Sequence, residues 1–206
     1  MSASCFRDVP YRCQWADRNI VDGLLAGEVE AASDVKRHEF GFISDKQYEF
    51  WACRTCGLAC FESYMRYLKL DLPHRAKLVE EAIAYGAYIV RPDGVDGLIY
   101  RPFINLIKDK YGISGRLMVG CSVEDVAKEV ASGAMVMCSV SPEIRNPAAE
   151  SARKGGHLVL VHGADDRHFR LHNPSGYSWN QENMLIEHGN FERFFAGRAI
   201  ILPVSG

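Results

Sequence analysis

The stretch "FWACRTCGLACFESYMRYL", Phe50 to Leu68, puts three cysteines into eight residues and then continues with apolar residues spaced three and four apart. A thiol there could act as a nucleophile, a metal ligand or a redox partner. Cys56 is the candidate nucleophile because it opens the helical pattern. Unpaired backbone N–H groups and the positive end of the helix dipole favour a thiolate at that place. Gly57, directly after it, lets other backbone or a substrate come close. Cys53 is followed by Arg54 and Thr55 and is the fallback. Cys60, one turn beyond Cys56 on the same face, reads as a small residue that permits close packing.

A nucleophilic thiol needs a base, and the base needs an orienting partner. In "KGGHLVLVHG", His157 follows two glycines and enters an apolar run. The glycines leave open space beside an imidazole that must take and return a proton. In "RLHNPSG", Asn173 stands sixteen residues after His157 (173 − 157 = 16). A strand from His157 that turns at "ADDRH" and returns as "FRLHN" brings Asn173 back beside His157. Its carbonyl could then accept the imidazole N–H and fix the tautomer.

The other uses of the cysteines fit less well. "CRTC" has redox spacing, but helical pattern lies on both sides of it where a thioredoxin-like unit needs strands. "CRTC" and "HFRLH" have zinc-like spacings, yet more than a hundred residues separate them, and structural zinc pairs come from nearby segments. We expect no metal and no cofactor. His162, His168 and His172 are read as strand or turn residues, and Cys121 and Cys138 as core thiols. Cys5, close to the terminus, receives no role.

The elements that must position these groups change texture along the chain. Residues 17–32, "SDKQYEF", "CGLACFESYMRYL", "HRAKLVEEAIAYG", "YRPFINLIKDKYG" and "SVEDVAKEVASG" carry helical spacing. "RLMV", "AMVMCSV", "HLVLVHGAD", "HFRLHNP" and "RAIILPV" read as strands. Mostly helices first and strands afterwards predict an α+β fold: a helical lobe on a mainly antiparallel sheet, with the site between them.

The 206 residues suit one domain, and 48% hydrophobic with 24% charged residues is an ordinary globular composition. A formal net charge of −2 gives no reason to expect nucleic acid or an anionic membrane as partner. No signal-length apolar segment or membrane-length run occurs, so the expectation is a cytoplasmic protein whose seven cysteines are reduced.

"CGLACFESYMRYL" together with "GGHLVLVHGADDRHFRLHNPSG" resembles the papain-clan cysteine peptidases related to the double-glycine leader peptidases that process bacteriocins. The resemblance implies a papain-like fold over residues 1–206, with the nucleophile, base and orienting residue on Cys56, His157 and Asn173. It also implies an upstream Gln whose amide helps bind the oxyanion. "DVPYRCQW" nominates Gln14 for that role. Gln14 lies 42 residues before Cys56 (56 − 14 = 42), far more than the family's spacing, which makes residues 18–48 an insertion. Gln47 is the rival, nine residues before Cys56 (56 − 47 = 9) and six before Cys53 (53 − 47 = 6). The shorter spacing is the family's.

The implied activity is hydrolysis of a peptide or amide through a thioester, by a freestanding enzyme without transporter domains. The partner would be a peptide or a small amide or thioester. Two alternatives stay open: an acyltransferase using the same triad with an amine acceptor, and a catalytically silent papain-like binding module. Glu143 and Arg145 are placed near the cleft. Trp179 is either core or an aromatic packed over the orienting amide.

Overall fold

The computed structural model describes residues 5–151 and 153–204; the side chain of Cys5 lies outside the described atoms. In chain order the elements are β1 (Cys5–Phe6), α1 (Val21–Ala26), α2 (Asp45–Ala52), α3 (Cys56–Tyr67), α4 (Arg75–Ala84), β2 (Tyr88–Arg91) and β3 (Gly94–Gly97). They continue with α5 (Tyr100–Tyr111), β4 (Arg116–Val119), α6 (Val123–Ala131), β5 (Met135–Val140), β6 (His157–Ala164), β7 (His168–His172), β8 (Met184–Glu187), α7 (His188–Phe194) and β9 (Phe195–Leu202).

The α+β expectation holds. One antiparallel sheet runs β4-β9-β5-β6-β7-β8, with β1 paired to β6, and β2–β3 form a separate hairpin. Both faces of the sheet are covered, not one. Met137, Leu160 and Ile200 pack beneath α3, α4 and α5, while Val136, Val159 and Val161 face α6 and α7. That alternation is why the central strands read as nearly continuous apolar runs. Cys138 is buried as expected, but Cys121 is only half-buried at the edge of the second layer.

The helical reading of residues 17–32 holds only in part. Gly27 at φ 72° ends α1 after six residues, and short 3₁₀ turns flank it. The N–H of this left-handed glycine donates to the Gly23 and Leu24 carbonyls and stops the helix. The excursion folds back around buried Asp34, which accepts from the Asp17 backbone N–H at 3.0 Å and from the Tyr48 hydroxyl. No helix among the described residues is long and apolar enough to cross a membrane.

Arg75, the first residue of α4, ties the N-terminal segment to α3. Its fully buried guanidinium pairs with both carboxylate oxygens of Glu62 on α3. It also donates to the carbonyls of Cys13 (3.2 Å) and Gln14 (3.3 Å) and to the Thr55 hydroxyl (3.0 Å). Burial alone would raise the Glu62 carboxyl; Arg75 and Arg12 more than reverse that and keep it ionised. Removing one partner strands a buried charge, so Arg75→Met should cost about 3–5 kcal/mol in a denaturant titration. Adding Glu62→Leu should recover part of that loss, and a purely additive double variant would show that the pair is not coupled.

Candidate active site

Cys56 is the first residue of α3, and the preceding Thr55 makes no side-chain cap to the helix. The first N–H groups of α3 therefore stay available to a ligand. Gly57 sits where space is tight: a Cβ there would lie 2.9 Å from both Leu158 Cδ1 and Leu98 Cδ2, and those side chains would have to shift. One turn on, the thiol of buried Cys60 donates to the Leu158 carbonyl at 3.6 Å. Together the two small side chains bring the start of α3 against the start of β6.

On β6, His157 is 5% exposed and its Nε2 lies 2.8 Å from Asn173 Oδ1. The strand return from "ADDRH" is as expected, with one irregularity between Val161 and Gly163. Leu160 pairs with His172, so three residues back on β6, at His157, corresponds to three residues on, at Ser175. Ser175 Oγ lies 3.3 Å from His157 Nε2, and the Ser175 N–H donates to Asn173 Oδ1 at 3.3 Å. With Nε2–H donated to this pair of oxygens, Nδ1 carries the free lone pair.

Cys56 and His157 line one cavity of about 340 Å³, between the end of the sheet and the Gly97–Tyr100 segment. This is the cleft expected between helices and strands. A larger cavity of about 540 Å³ lies beside the Arg75 clasp and includes no cysteine. The chemistry therefore places the candidate site in the smaller one.

Gln14 is buried beside the orienting segment, its N–H donating to the Pro174 carbonyl at 2.9 Å. Through Arg75 its backbone is joined to Thr55, the neighbour of Cys56. Gln47 is elsewhere: it is exposed on α2, and its Oε1 accepts from the Ile43 N–H at 3.3 Å. Cys53 is exposed at the end of α2, with Arg54 Nη1 2.8 Å from its sulfur. Trp179 is neither core nor a cover for Asn173. It is 66% exposed and stacks on Tyr177. His172 packs beside the N-terminal segment, its Nε2 2.8 Å from the Val9 carbonyl.

Ser175 and the exact use of Arg145 were beyond sequence reasoning. Arg145 donates to the Ser175 carbonyl (2.6 Å) and hydroxyl (2.6 Å), placing a cation one residue from the imidazole. The only signal for Ser175 is a hydroxyl two residues after Asn173, in a segment that reads simply as a turn.

The electrostatics differ from the helix-dipole expectation. Burial pushes the Cys56 thiol up, and backbone N–H groups near Leu158 and Gly57, with Arg145, only partly offset it. Burial and then Arg145 push His157 down to about 3, against the Asn173 hydrogen bond. Desolvation disfavours both charged forms. Burial thus favours the neutral form of each group taken by itself.

The structure can be set beside known proteins. Over 74% of this chain and 90% of the other, it superposes on a protein described as a C39-like peptidase from Bacillus anthracis, with a TM-score of 0.53 and 17% identity. The peptidase domain of Streptococcus ComA, described as a bi-functional ABC transporter, gives 0.50 at 16% identity, over 73% and 93% of the two chains. No curated protein matches the sequence. The shared architecture is that of the papain-like cysteine peptidases. Residues 26–198 match the Peptidase_C39 like family, and the chain belongs to it. It is an enzyme of cysteine-peptidase type. Gln14 precedes the matched residues.

Arg145 acts on both members of the pair with opposite consequences for their ionisation. Removing its charge in Arg145→Gln should raise the His157 titration midpoint and raise that of Cys56 further, while Arg145→Lys should move both less. Imidazole NMR and residue-resolved alkylation against pH read these midpoints. Unchanged midpoints in Arg145→Gln would show that its charge does not reach the site.

Proposed function

We propose that the chain hydrolyses peptide or amide bonds through a thioester on Cys56, with His157 as base and acid, Asn173 as its orienting partner, and Gln14 with the Cys56 N–H as oxyanion donors. The observation that carries this is the 2.8 Å contact between His157 Nε2 and Asn173 Oδ1, which leaves Nδ1 free at the cavity lined by Cys56.

In the first step His157 Nδ1 takes the thiol proton as Sγ attacks the carbonyl carbon. The C–S bond forms and the carbonyl electron pair moves to oxygen, where N–H donors hold it. The tetrahedral species collapses, the C–N bond breaks, and the imidazolium gives its proton to the departing amine. Water then repeats the attack with its proton going to His157, the C–S bond breaks, the imidazolium returns that proton to sulfur, and the acid leaves. Burial favours the neutral form of each group, so in this reading proton transfer accompanies attack instead of preceding it. An amine in place of that water would transfer the acyl group from the same intermediate. We assign residues 18–48 to an insertion between the Gln14 and Cys56 segments, ending within α2.

The test is residue-resolved. A dipeptidyl acyloxymethyl ketone should label Cys56 in the wild type, and Cys56→Ala should lose both labelling and turnover. Gln14→Ala should retain Cys56 alkylation by iodoacetamide while turnover falls about a hundredfold or more. His157→Ala should lose turnover and slow ketone labelling of Cys56, because no group then takes the thiol proton. Ketone labelling on exposed Cys53 with Cys56 untouched, or turnover that survives Cys56→Ala, would overturn the assignment.

A further inference from the structure

The face of the sheet beneath α3 is a set of apolar rows: Met135 and Met137 on β5, Leu158 and Leu160 on β6, Ile200 and Leu202 on β9. Side chains two apart share a face, so the same rows continue to Ser139 on β5 and Arg198 on β9. There the apolar pattern stops. Both side chains line the cavity shared by Cys56 and His157. An irregularity between Cys138 and Val140 adjusts the β5–β9 register at this point, as bulges do where a strand must re-aim a side chain.

The exposed Arg198 guanidinium lies against the loop that leads into His157. A Cβ on Gly155, whose φ is +92°, would lie 2.9 Å from Arg198 Nη2 and 3.4 Å from Ser139 Oγ. Arg198 and the Ser139 hydroxyl thus converge at one end of the cavity, and the Tyr100 phenol stands beside Ser139 within the field of Arg198. Among the described residues no Asp or Glu lies within ion-pair distance of Arg198. None lines the cavity either. A guanidinium fork with two hydroxyls and no carboxylate of its own suits a bound carboxylate, which it can grip bidentately.

We propose that Arg198, with Ser139 and Tyr100, binds an anionic group on the acyl portion of the substrate, so that the enzyme selects peptides or amides with a carboxylate close to the bond it cuts. This rests on Cys56 being the nucleophile. Arg198 lies two strands from His157 across the sheet, on the side away from Asn173. That is about 10 Å, within reach of an acidic side chain on either of the two residues preceding the scissile bond. The opposing walls, Leu98 and Leu158, are apolar and would hold the aliphatic part of such a chain.

Dipeptidyl acyloxymethyl ketones carrying Glu, Gln or Lys at either position test it by their rates of Cys56 labelling, with wild-type iodoacetamide alkylation measured alongside. At one position the wild type should react about ten- to a hundredfold faster with Glu than with Gln, the range for charge-assisted hydrogen bonds. Arg198→Gln should remove that preference, and Arg198→Glu should turn it towards Lys. Equal Glu and Gln rates on a Cys56 that the ketones do label would overturn the proposal and leave the nucleophile standing. A Glu preference that survives Arg198→Gln would overturn the assignment of Arg198. Iodoacetamide reaching Cys56 while no ketone labels it would instead strike at the nucleophile reading itself.

Discussion

The buried Arg75–Glu62 pair is the constraint on which the site depends. Glu62 lies on α3, two turns after Cys56, and Arg75 begins α4. The same guanidinium holds the carbonyls of Cys13 and Gln14 and the Thr55 hydroxyl, and its plane lies over the Phe40 ring, 4.5 Å from the centroid. One side chain therefore fixes the N-terminal segment, the start of α3 and the end of the excursion relative to one another. Thr55 is consequential here: its hydroxyl is engaged by Arg75 and does not cap α3. The free helix start beside Cys56 is thus a product of the clasp.

A second constraint sets the distance between helix and sheet. Gly57 and Cys60 present almost no side chain towards Leu158, so α3 approaches β6 at the residue next to His157. The N-terminal segment closes the other side. The Tyr11 hydroxyl donates to the Asn173 carbonyl at 3.2 Å, and the Gln14 N–H donates to that of Pro174. Asn173 is thereby held by backbone contacts on one side and by His157 on the other, and a buried side chain with so little freedom loses little entropy on orienting an imidazole.

Much of this was legible in sequence because it is local. Helical spacing marked α3, α4, α5 and α6, and apolar runs marked β5, β6 and β9. The His157-to-Asn173 juxtaposition followed from a strand, a turn and a return. Other features depend on partners distant in the chain. The β2–β3 hairpin has short strands with mostly exposed side chains, so no alternation announces it. Ser175 acquires its place from the register of β6 with β7, and Arg145 from its reach to Ser175. Arg75 looks like any solvent-facing helix residue until Glu62, 13 residues earlier, is seen opposite it. The setting of the thiol divides in the same way: a helix start can be read from sequence, but the burial that opposes ionisation there cannot.

That desolvation bears on why the candidate site places oriented hydrogen-bond partners around both the imidazole and the sulfur. A neutral thiol and a neutral imidazole cost little to bury, whereas the ion pair formed during attack must be stabilised when it appears. Asn173 Oδ1 and Ser175 Oγ face the ring nitrogen that carries the proton, and the uncapped start of α3 faces the sulfur. Arg145 opposes the imidazolium while favouring the thiolate. Its two effects on a thiolate–imidazolium pair therefore oppose each other. The arrangement thus suits a thiol that becomes anionic only as it meets a carbonyl, when the developing charge passes from sulfur to an oxygen that the same N–H groups can reach.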